Sequence, residues 1–226
     1  MKHLQDALYQ SPDLIYSTDF AGKFTFLNKT TSSKTGFNKE VRGISKHYCD
    51  MPCKASELGE VFATQDLETI QLKKHTSWIG LAEYAGDDFT IWLGTKSPII
   101  DNDLVIGVFC SFKNVTRSPL INLYNILQPV NITKSKPQLT LKICDYSLPV
   151  QLSKIESKVL FYLLRCYTSK EIATLLSRSF RTIEDHVENL KNKFNCNTKT
   201  QLIEYGITKG LLNIIPQCLL VRSFAS

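Results

Sequence analysis

One segment near the carboxy-terminal end sets the strongest limit on the fold. Between Thr182 and Phe194 the apolar residues recur at i, i+4, i+7 and i+11, as Ile183, Val187, Leu190 and Phe194. That spacing predicts a helix with a single apolar stripe. The opposite face is fully polar and consists of Glu184, Asp185, Glu188, Lys191, Asn192 and Lys193. Such a helix needs other helices to cover its stripe, and it then presents its polar face outward.

Two further helices are predicted directly before this one. Ser153 and Glu156 stand three residues apart at the start of an apolar helical pattern, which is typical of a capping box. A second helix starts at Thr168–Glu171, and Ser179–Arg181 form the turn and cap before the third helix, which begins near Thr182. A short helix held by two others, with a polar face outward, is the geometry that enters the major groove of DNA. The sequence therefore predicts a helix-turn-helix.

Residues 150–215 resemble the LuxR-type helix-turn-helix family. The resemblance is carried by Leu152–Glu156, Val159–Leu160, Lys170–Ala173, Ser179–His186, Asn189–Leu190, Lys193–Phe194 and Gly210–Leu211. It implies an all-α, four-helix DNA-binding domain of a bacterial transcription regulator. The chain departs from the family pattern at Cys166, where a turn glycine is usual, and at Ile155, where arginine is usual. We expect Cys166 to remove a backbone conformation that glycine allows, and Ile155 to remove the charge of the arginine.

The resemblance places the DNA-binding residues on and around the third helix. The predicted set is Lys170, Ser179, Arg181, Thr182, Glu184, Asp185, Glu188, Lys191, Lys193 and Lys199. Its five cations would hold phosphates. Its three acids weaken the attraction to phosphates, but a carboxylate can also accept a hydrogen bond from cytosine N4. Two interpretations therefore stay open: the acids read bases, or one or more of them simply face solvent.

A fourth helix, Lys199–Lys209, would pair two subunits if the chain follows the family. Leu202, Tyr205 and Gly206 are its candidate dimerisation residues. The alternative is that they only close the core of their own domain. If they pair subunits, the twofold symmetry of a homodimer requires an inverted-repeat operator with half-sites about one helical turn apart.

Residues 1–117 predict an α+β domain. Two β-rich runs, Asp13–Asp19 and Lys23–Asn28, are joined by a glycine turn, and short helices up to Lys74 follow. The last of these helices is the longest and has its apolar residues at near-helical spacing: Val61, Phe62, Leu67 and Ile70. Three more strands are expected at Trp78–Tyr84, Phe89–Lys96 and Leu104–Val115. This order resembles a PAS domain, with a five-stranded antiparallel sheet. Two motifs support the resemblance: Ser11–Asp13 with Asp19, Gly22 and Asn28 at the start, and Gly107 with Asn114–Thr116 at the end.

A PAS domain implies a sensor, but the sequence leaves its signal open. Tyr48–Cys53 does not match the cysteine motif of photoactive flavin domains, and no histidine lies inside the long helix to bind haem. The cofactor is therefore unknown. Aromatic residues on or near the strands are more typical of core than of a ligand cavity; they are Phe26, Trp78, Tyr84, Trp92, Phe109 and Phe112. Two interpretations of this domain stay open. It binds a small-molecule ligand, or it acts only as a protein-interaction and dimerisation module with no small ligand.

Composition and charge agree with two globular domains joined by a linker. We predict a PAS-like domain at 1–117, a linker at 118–150 broken by prolines, a LuxR-type domain at 151–215 and a tail at 216–226. Within the linker, a short helix is expected at Leu120–Leu127 and a strand at Leu139–Ile143. The net charge is −1 over residues 1–130 and +4 over 151–215, which favours a polyanion partner, double-stranded DNA, for the second half. The sequence has no signal peptide, membrane span or common catalytic motif, so we expect a cytoplasmic signal-transduction protein that is not an enzyme and does not bind membranes.

Overall fold

The computed structural model describes residues 2–86, 89–116, 139–144 and 150–220. The chain divides into two compact units. Of the described residues, those up to Leu141 belong to the first unit and those from Lys142 onward to the second. Most of the predicted linker, including a helix expected at Leu120–Leu127, lies outside the described residues, as does the end of the predicted tail.

The first unit is built on an antiparallel sheet. Its strands are β1 (Leu14–Asp19), β2 (Phe24–Leu27), β3 (Thr76–Glu83), β4 (Phe89–Asp101) and β5 (Leu104–Asn114), hydrogen-bonded in the order β2-β1-β5-β4-β3. β6 (Leu139–Ile143) follows β3, so the sheet has more than the five strands predicted. The β1–β2 turn is closed at Gly22, whose φ of 78° is one that glycine adopts without strain.

The strand β4 is longer than predicted, because the proline expected to end it does not. Pro98 pairs with Val108 of β5, and β4 continues to Asp101. Pairing of β4 with β3 stops at Lys96, so the missing N–H of Pro98 falls where β4 has no hydrogen-bonded neighbour among the described residues on that side. The β4–β5 turn then uses Asn102 and Asp103, both with positive φ, which is typical of a type I′ hairpin.

Helices cover one face of this sheet. They are α1 (Lys2–Gln10), α2 (Lys29–Lys34), α3 (Glu40–Gly43) and α4 (Gly59–Leu72), with 3-10 helices at Tyr48–Asp50 and Lys54–Leu58. The core between helices and sheet includes Tyr16, Phe24, Leu27, Phe37, Tyr48, Met51, Phe62 and Val108. α1 was not predicted from the sequence.

The buried face of α4 differs from the predicted apolar stripe. Phe62 is buried as predicted, but Val61 and Leu67 are 41% and 51% exposed. Apart from Phe62 and Gly59, the buried residues of α4 are polar: Gln65, Asp66 and Thr69. The cause lies opposite, on β4, where Lys96 shares the inner face of the strand with Trp92 and is fully buried. A buried ammonium group needs acceptors, and α4 supplies them.

Asn28 ties the start of the first unit together. Its side-chain oxygen caps α2 by accepting from Thr31 N at 2.8 Å, and it also accepts from Ile15 N at 3.3 Å. Its side-chain nitrogen lies 3.3, 3.1 and 2.9 Å from the carbonyl oxygens of Leu8, Ser11 and Asp13. One fully buried amide therefore joins α1, β1 and α2.

The second unit consists mainly of helices. They are α5 (Lys154–Leu163), α6 (Ser169–Leu175), α7 (Phe180–Lys193), α8 (Lys199–Thr208) and α9 (Gln217–Leu220), with a 3-10 helix at Leu211–Asn213. The short strand β7 (Ile214–Ile215) pairs in parallel with Lys142 and Ile143. Within the described residues, no helix of either unit is long and apolar enough to cross a bilayer.

Candidate DNA-binding surface and ligand pocket

The apolar stripe of α7 is buried as predicted. Ile183 and Leu190 are 0% exposed, Val187 is 4% and Phe194 is 8% exposed. α5 and α6 both pack against α7. Each of these two begins with a capping box, Ser153 with Glu156 and Thr168 with Glu171. α7 begins at Phe180, two residues before the predicted start, because Ser179 caps it by accepting from Thr182 N at 3.1 Å.

Each of the helices α5, α6 and α7 is followed, within three residues of its end, by a residue in the left-handed conformation. Cys166, Ser177 and Asn195 have φ values of 62°, 50° and 53°. In each case two backbone hydrogen bonds close the helix end, as Cys166 N to Leu163 O and Tyr167 N to Tyr162 O do after α5. The expectation that Cys166 removes the conformation of the usual glycine is wrong: the conformation is kept, at a steric cost to cysteine.

The predicted DNA-binding residues lie on one accessible part of this unit. Lys170, Ser179, Arg181, Glu184, Asp185, Glu188 and Lys193 are exposed, and Thr182, Lys191 and Lys199 are half-buried. The side chains thus extend along α7 and to the starts of α6 and α8. This polar face is the accessible side of α7.

Three of the predicted phosphate-binding lysines already have partners within the unit. Lys191 Nζ lies 2.7 Å from Glu188 Oε2, and Lys193 Nζ lies 2.8 Å from Glu156 Oε2. Lys193 also donates to Gln151 O at 3.0 Å, and Lys199 Nζ lies 3.4 Å from Ser169 Oγ. Phosphates would have to compete with these contacts. Arg181 and Lys170 have no ion pair with any residue that the structure describes.

Glu156 connects two helices through one carboxylate. Its Oε2 accepts from Ser153 N at 2.7 Å at the start of α5 and from Lys193 Nζ at the end of α7. Burial alone raises the pKa of this carboxyl, but the hydrogen bonds from Lys193 and Ser153 outweigh it and leave the pKa below its usual value.

A pH dependence follows for Glu156. Because its pKa is lowered in the folded state, its stabilising contribution is complete above the unfolded pKa of about 4.3 and is lost as the pH falls through the lower folded pKa. When the pH is lowered from roughly 6 to 3, the free energy of unfolding of Glu156→Gln should therefore decrease less than that of the wild type. Urea unfolding of the full chain measures both. Glu204→Gln, an exposed glutamate of the same unit, serves as the control. Parallel pH profiles for wild type and Glu156→Gln would contradict the prediction.

The candidate dimerisation residues mostly face their own unit. Leu202 is 0% exposed, and a Cβ on Gly206 would collide with the Leu164 side chain. Tyr205 is half-buried, with its ring centroid 5.0 Å from that of Phe194. Ile207, one turn after Ile203 on α8, is 52% exposed. The exposed apolar surface of α8 therefore includes Ile207 and part of Tyr205.

A pocket opens in the first unit on the inner face of the sheet. It has an empty volume of about 370 Å³, part of it open to solvent, and its lining is Tyr16, Phe62, Gln65, Trp78, Gly80, Ala82, Tyr84, Trp92, Phe112 and Thr140. Six of these residues are aromatic, and for four of the six the sequence favoured a place in the core over a place in a ligand cavity. No lining residue carries a formal charge. Burial raises the pKa of the Tyr16 and Tyr84 phenols, so both stay neutral.

A buried ion pair lies beside the pocket, and sequence reasoning missed it. Lys96 Nζ contacts Asp66 Oδ1 at 2.6 Å and Phe62 O at 2.9 Å. The second oxygen of Asp66 accepts from Tyr48 Oη at 2.9 Å and from Thr18 Oγ1 at 3.1 Å. Every oxygen of the carboxylate is thus satisfied. No periodic pattern in the sequence indicates such a pair, because one partner is in a helix and the other in a strand.

The helices α5, α6 and α7 have the arrangement of a helix-turn-helix, and comparison with known proteins finds a family that matches this part of the chain. Residues 150–205 match the family described as "Bacterial regulatory proteins, luxR family". The chain is 36% identical over 64 residues to the probable transcriptional regulator ycf29 of Pyropia yezoensis and 39% identical over 62 residues to the oxygen regulatory protein NreC of Staphylococcus carnosus. These matches cover 28% and 27% of this chain, and the chain spans 29% of the length of each relative.

Solved structures share the architecture of both units. The phage VqmA–DPO complex has 24% identity and a TM-score of 0.50, with 100% of this chain and 92% of that chain covered. The Vibrio cholerae VqmA dimer without target DNA has 21% identity and a TM-score of 0.53, with 97% and 93% covered. At these identities the likeness shows the fold alone. The first unit has the PAS-like fold predicted from the sequence, and the second contains the LuxR-type helix-turn-helix domain.

Proposed function

We propose that this chain is a transcription regulator that binds double-stranded DNA through the polar face of α7, as a homodimer on an inverted-repeat operator. The observation that carries the proposal is the complete burial of one side of α7 against α5 and α6 while its other side stays accessible. The matched luxR-family region includes α7, and the relatives in that region are regulators. The V. cholerae VqmA structures of the same fold include a ligand–DNA complex, which supports the same role here.

Arg181 and Glu184 take different parts in the proposed interface. Arg181 stands in the first turn of α7, where it reaches a phosphate. Glu184, one turn further along the exposed face, accepts a hydrogen bond from a cytosine N4 amino group. α7 has three basic and three acidic residues, so its affinity for DNA in general is low and its discrimination between sequences depends on base contacts.

The test is selection of duplexes from a random library by the full chain, followed by binding measurements over a range of salt concentrations. We expect an inverted repeat. Arg181→Ala should weaken binding to all sequences and reduce the slope of log K against log salt by about 1, and Glu184→Ala should relax the preference at one base pair by about 1–3 kcal/mol.

Lys23→Ala and Glu60→Ala, exposed residues of the first unit, are the matched controls and should change neither quantity. Selection that enriches no sequence contradicts the regulator proposal. An unchanged base preference in Glu184→Ala would overturn only the base-reading role of that carboxylate.

The pocket supports a sensor role for the first unit. The pocket suits a small, uncharged, flat ring compound that makes one or two hydrogen bonds. Its lining has six aromatic rings, two of them neutral phenols, and the amide of Gln65. The phage VqmA structure of the same fold is a complex with DPO, which favours a ligand over the alternative of a pure protein-interaction module.

Calorimetry of the full chain with four small probes separates the two roles. Benzamide and indole, both neutral, should bind, while benzoate and benzylammonium, of similar size but charged, should not, because the lining offers no counter-ion. Binding of none of the four would favour the interaction module.

A further inference from the structure

Gln65 is a lining residue of the pocket whose hydrogen bonding is only half used. It is 3% exposed, and its Nε2 donates to Thr140 Oγ1 at 3.1 Å. Its side-chain oxygen accepts no hydrogen bond from the described part of the chain. An amide oxygen attracts donors strongly where its surroundings are apolar, as this aromatic lining is. The oxygen is therefore an acceptor that the pocket offers to a bound molecule.

The amide of Gln65 is held in place within the first unit. Its backbone is fixed in the middle of α4, where Gln65 O accepts from Thr69 Oγ1 at 2.9 Å. Thr140 lies on β6, which is hydrogen-bonded to β3 in the sheet, and Gln65 and Thr140 both belong to the first unit. The bond to Thr140 takes one N–H of the amide and so limits how the amide plane can turn. A polar group positioned in this way needs little further ordering when a ligand binds.

The other polar groups of the lining discriminate less between ligands. The indole N–H groups of Trp78 and Trp92 each donate to a threonine hydroxyl at 2.8 Å, so both are already used. The hydroxyls of Tyr84 and Thr140 can donate or accept, and they fit a ligand of either kind. The oxygen of Gln65 can only accept. It is therefore the group that distinguishes a ligand with a donor from one without.

We infer that Gln65 determines the specificity of the pocket by accepting a hydrogen bond from the ligand. The pocket then selects flat, uncharged rings that carry an N–H or O–H donor at the ring edge over rings of the same shape that lack one. This inference rests on the proposed sensor function of the first unit and adds the chemistry that the ligand must have. The aromatic lining binds both kinds of ring, and the amide oxygen supplies the difference between them.

The test compares indole with benzofuran, which has the same shape and an ether oxygen in place of the N–H. Calorimetry of the full chain gives the ratio of the two dissociation constants. We expect indole to bind the wild type about fivefold to tenfold more tightly. Gln65→Met keeps the length of the side chain without an amide, and it should bring the ratio close to one. Gln71→Met makes the same change at an exposed position of α4 and should leave the ratio as in the wild type.

The outcomes separate the specificity of Gln65 from the proposed function. A preference for indole that is lost in Gln65→Met and kept in Gln71→Met supports the inference. Equal binding of the two rings by the wild type, tighter binding of benzofuran, or an unchanged preference in Gln65→Met overturns it, while the sensor function stands because rings still bind. A wild type that binds neither ring contradicts the sensor function and the inference with it.

A second variant covers the case in which Gln65→Met does not fold. Gln65→Asn keeps a polar amide and withdraws it from the ligand by one methylene group. It should lose most of the preference for indole, and a ratio equal to that of the wild type overturns the inference. Far-UV circular dichroism of the full chain shows which variants are folded.

Discussion

Lys96→Met is expected to destabilise the first unit by about 3–5 kcal/mol. The substitution removes the ammonium group and leaves Asp66, only 3% exposed, as a charge without its main partner. Methionine fills a similar volume, so the loss is electrostatic rather than a cavity. The measurement is chemical unfolding of the full chain, followed by the fluorescence of Trp78 and Trp92, both in the first unit.

A matched control is Lys54→Met. Lys54 pairs with Glu83 at 2.8 Å, a distance like that of the buried pair, but its side chain is 63% exposed. Solvent screens exposed pairs, so their contribution to stability is small and this variant should remain close to the wild type. Lys96→Met combined with Asp66→Leu should regain much of the lost stability, because it removes both charges. Equal losses for Lys96→Met and Lys54→Met would show that burial does not govern the pair.

Asn28→Ala is expected to cost about 3 kcal/mol or more, because it leaves several buried backbone groups of α1, β1 and α2 without their partner. Asn28→Ser can still cap α2 but cannot reach the carbonyl oxygens of Leu8, Ser11 and Asp13, so it should fall between alanine and the wild type. Unfolding monitored as for Lys96→Met gives both values. If serine restores full stability, the cap alone matters and the three donations do not.

The sequence predicted the second unit better than the first for a physical reason. The stripe of α7 and the capping boxes at Ser153 and Thr168 are local signals, readable from residues three or four apart. The backbone conformation at Cys166 was predicted wrongly, because backbone hydrogen bonds hold the helix end even without glycine. The partners of Lys191 and Lys193 were missed because a charge on an exposed face was assumed to be available.

In the first unit the strands were predicted from alternation, but the interior was not. A prediction from periodicity assumes that buried residues are apolar. The buried face of α4 was therefore predicted wrongly, because Gln65, Asp66 and Thr69 are on it. The cause, Lys96, lies thirty residues away in another element. The pocket was missed for a similar reason. Its aromatic rings come from four different strands, one helix and Tyr84, which follows β3, and only the tertiary structure shows whether such rings pack together or leave a space.

The shared carboxylate of Glu156 makes two helix ends behave as one. Fraying of the first turn of α5 breaks the bond to Ser153 N and loosens the hold on Lys193, and fraying of the last turn of α7 does the reverse. Neither end can open without a penalty at the other. The end of α7 opposite to Ser179 is therefore held by the contacts of Lys193 as well as by the burial of its apolar stripe.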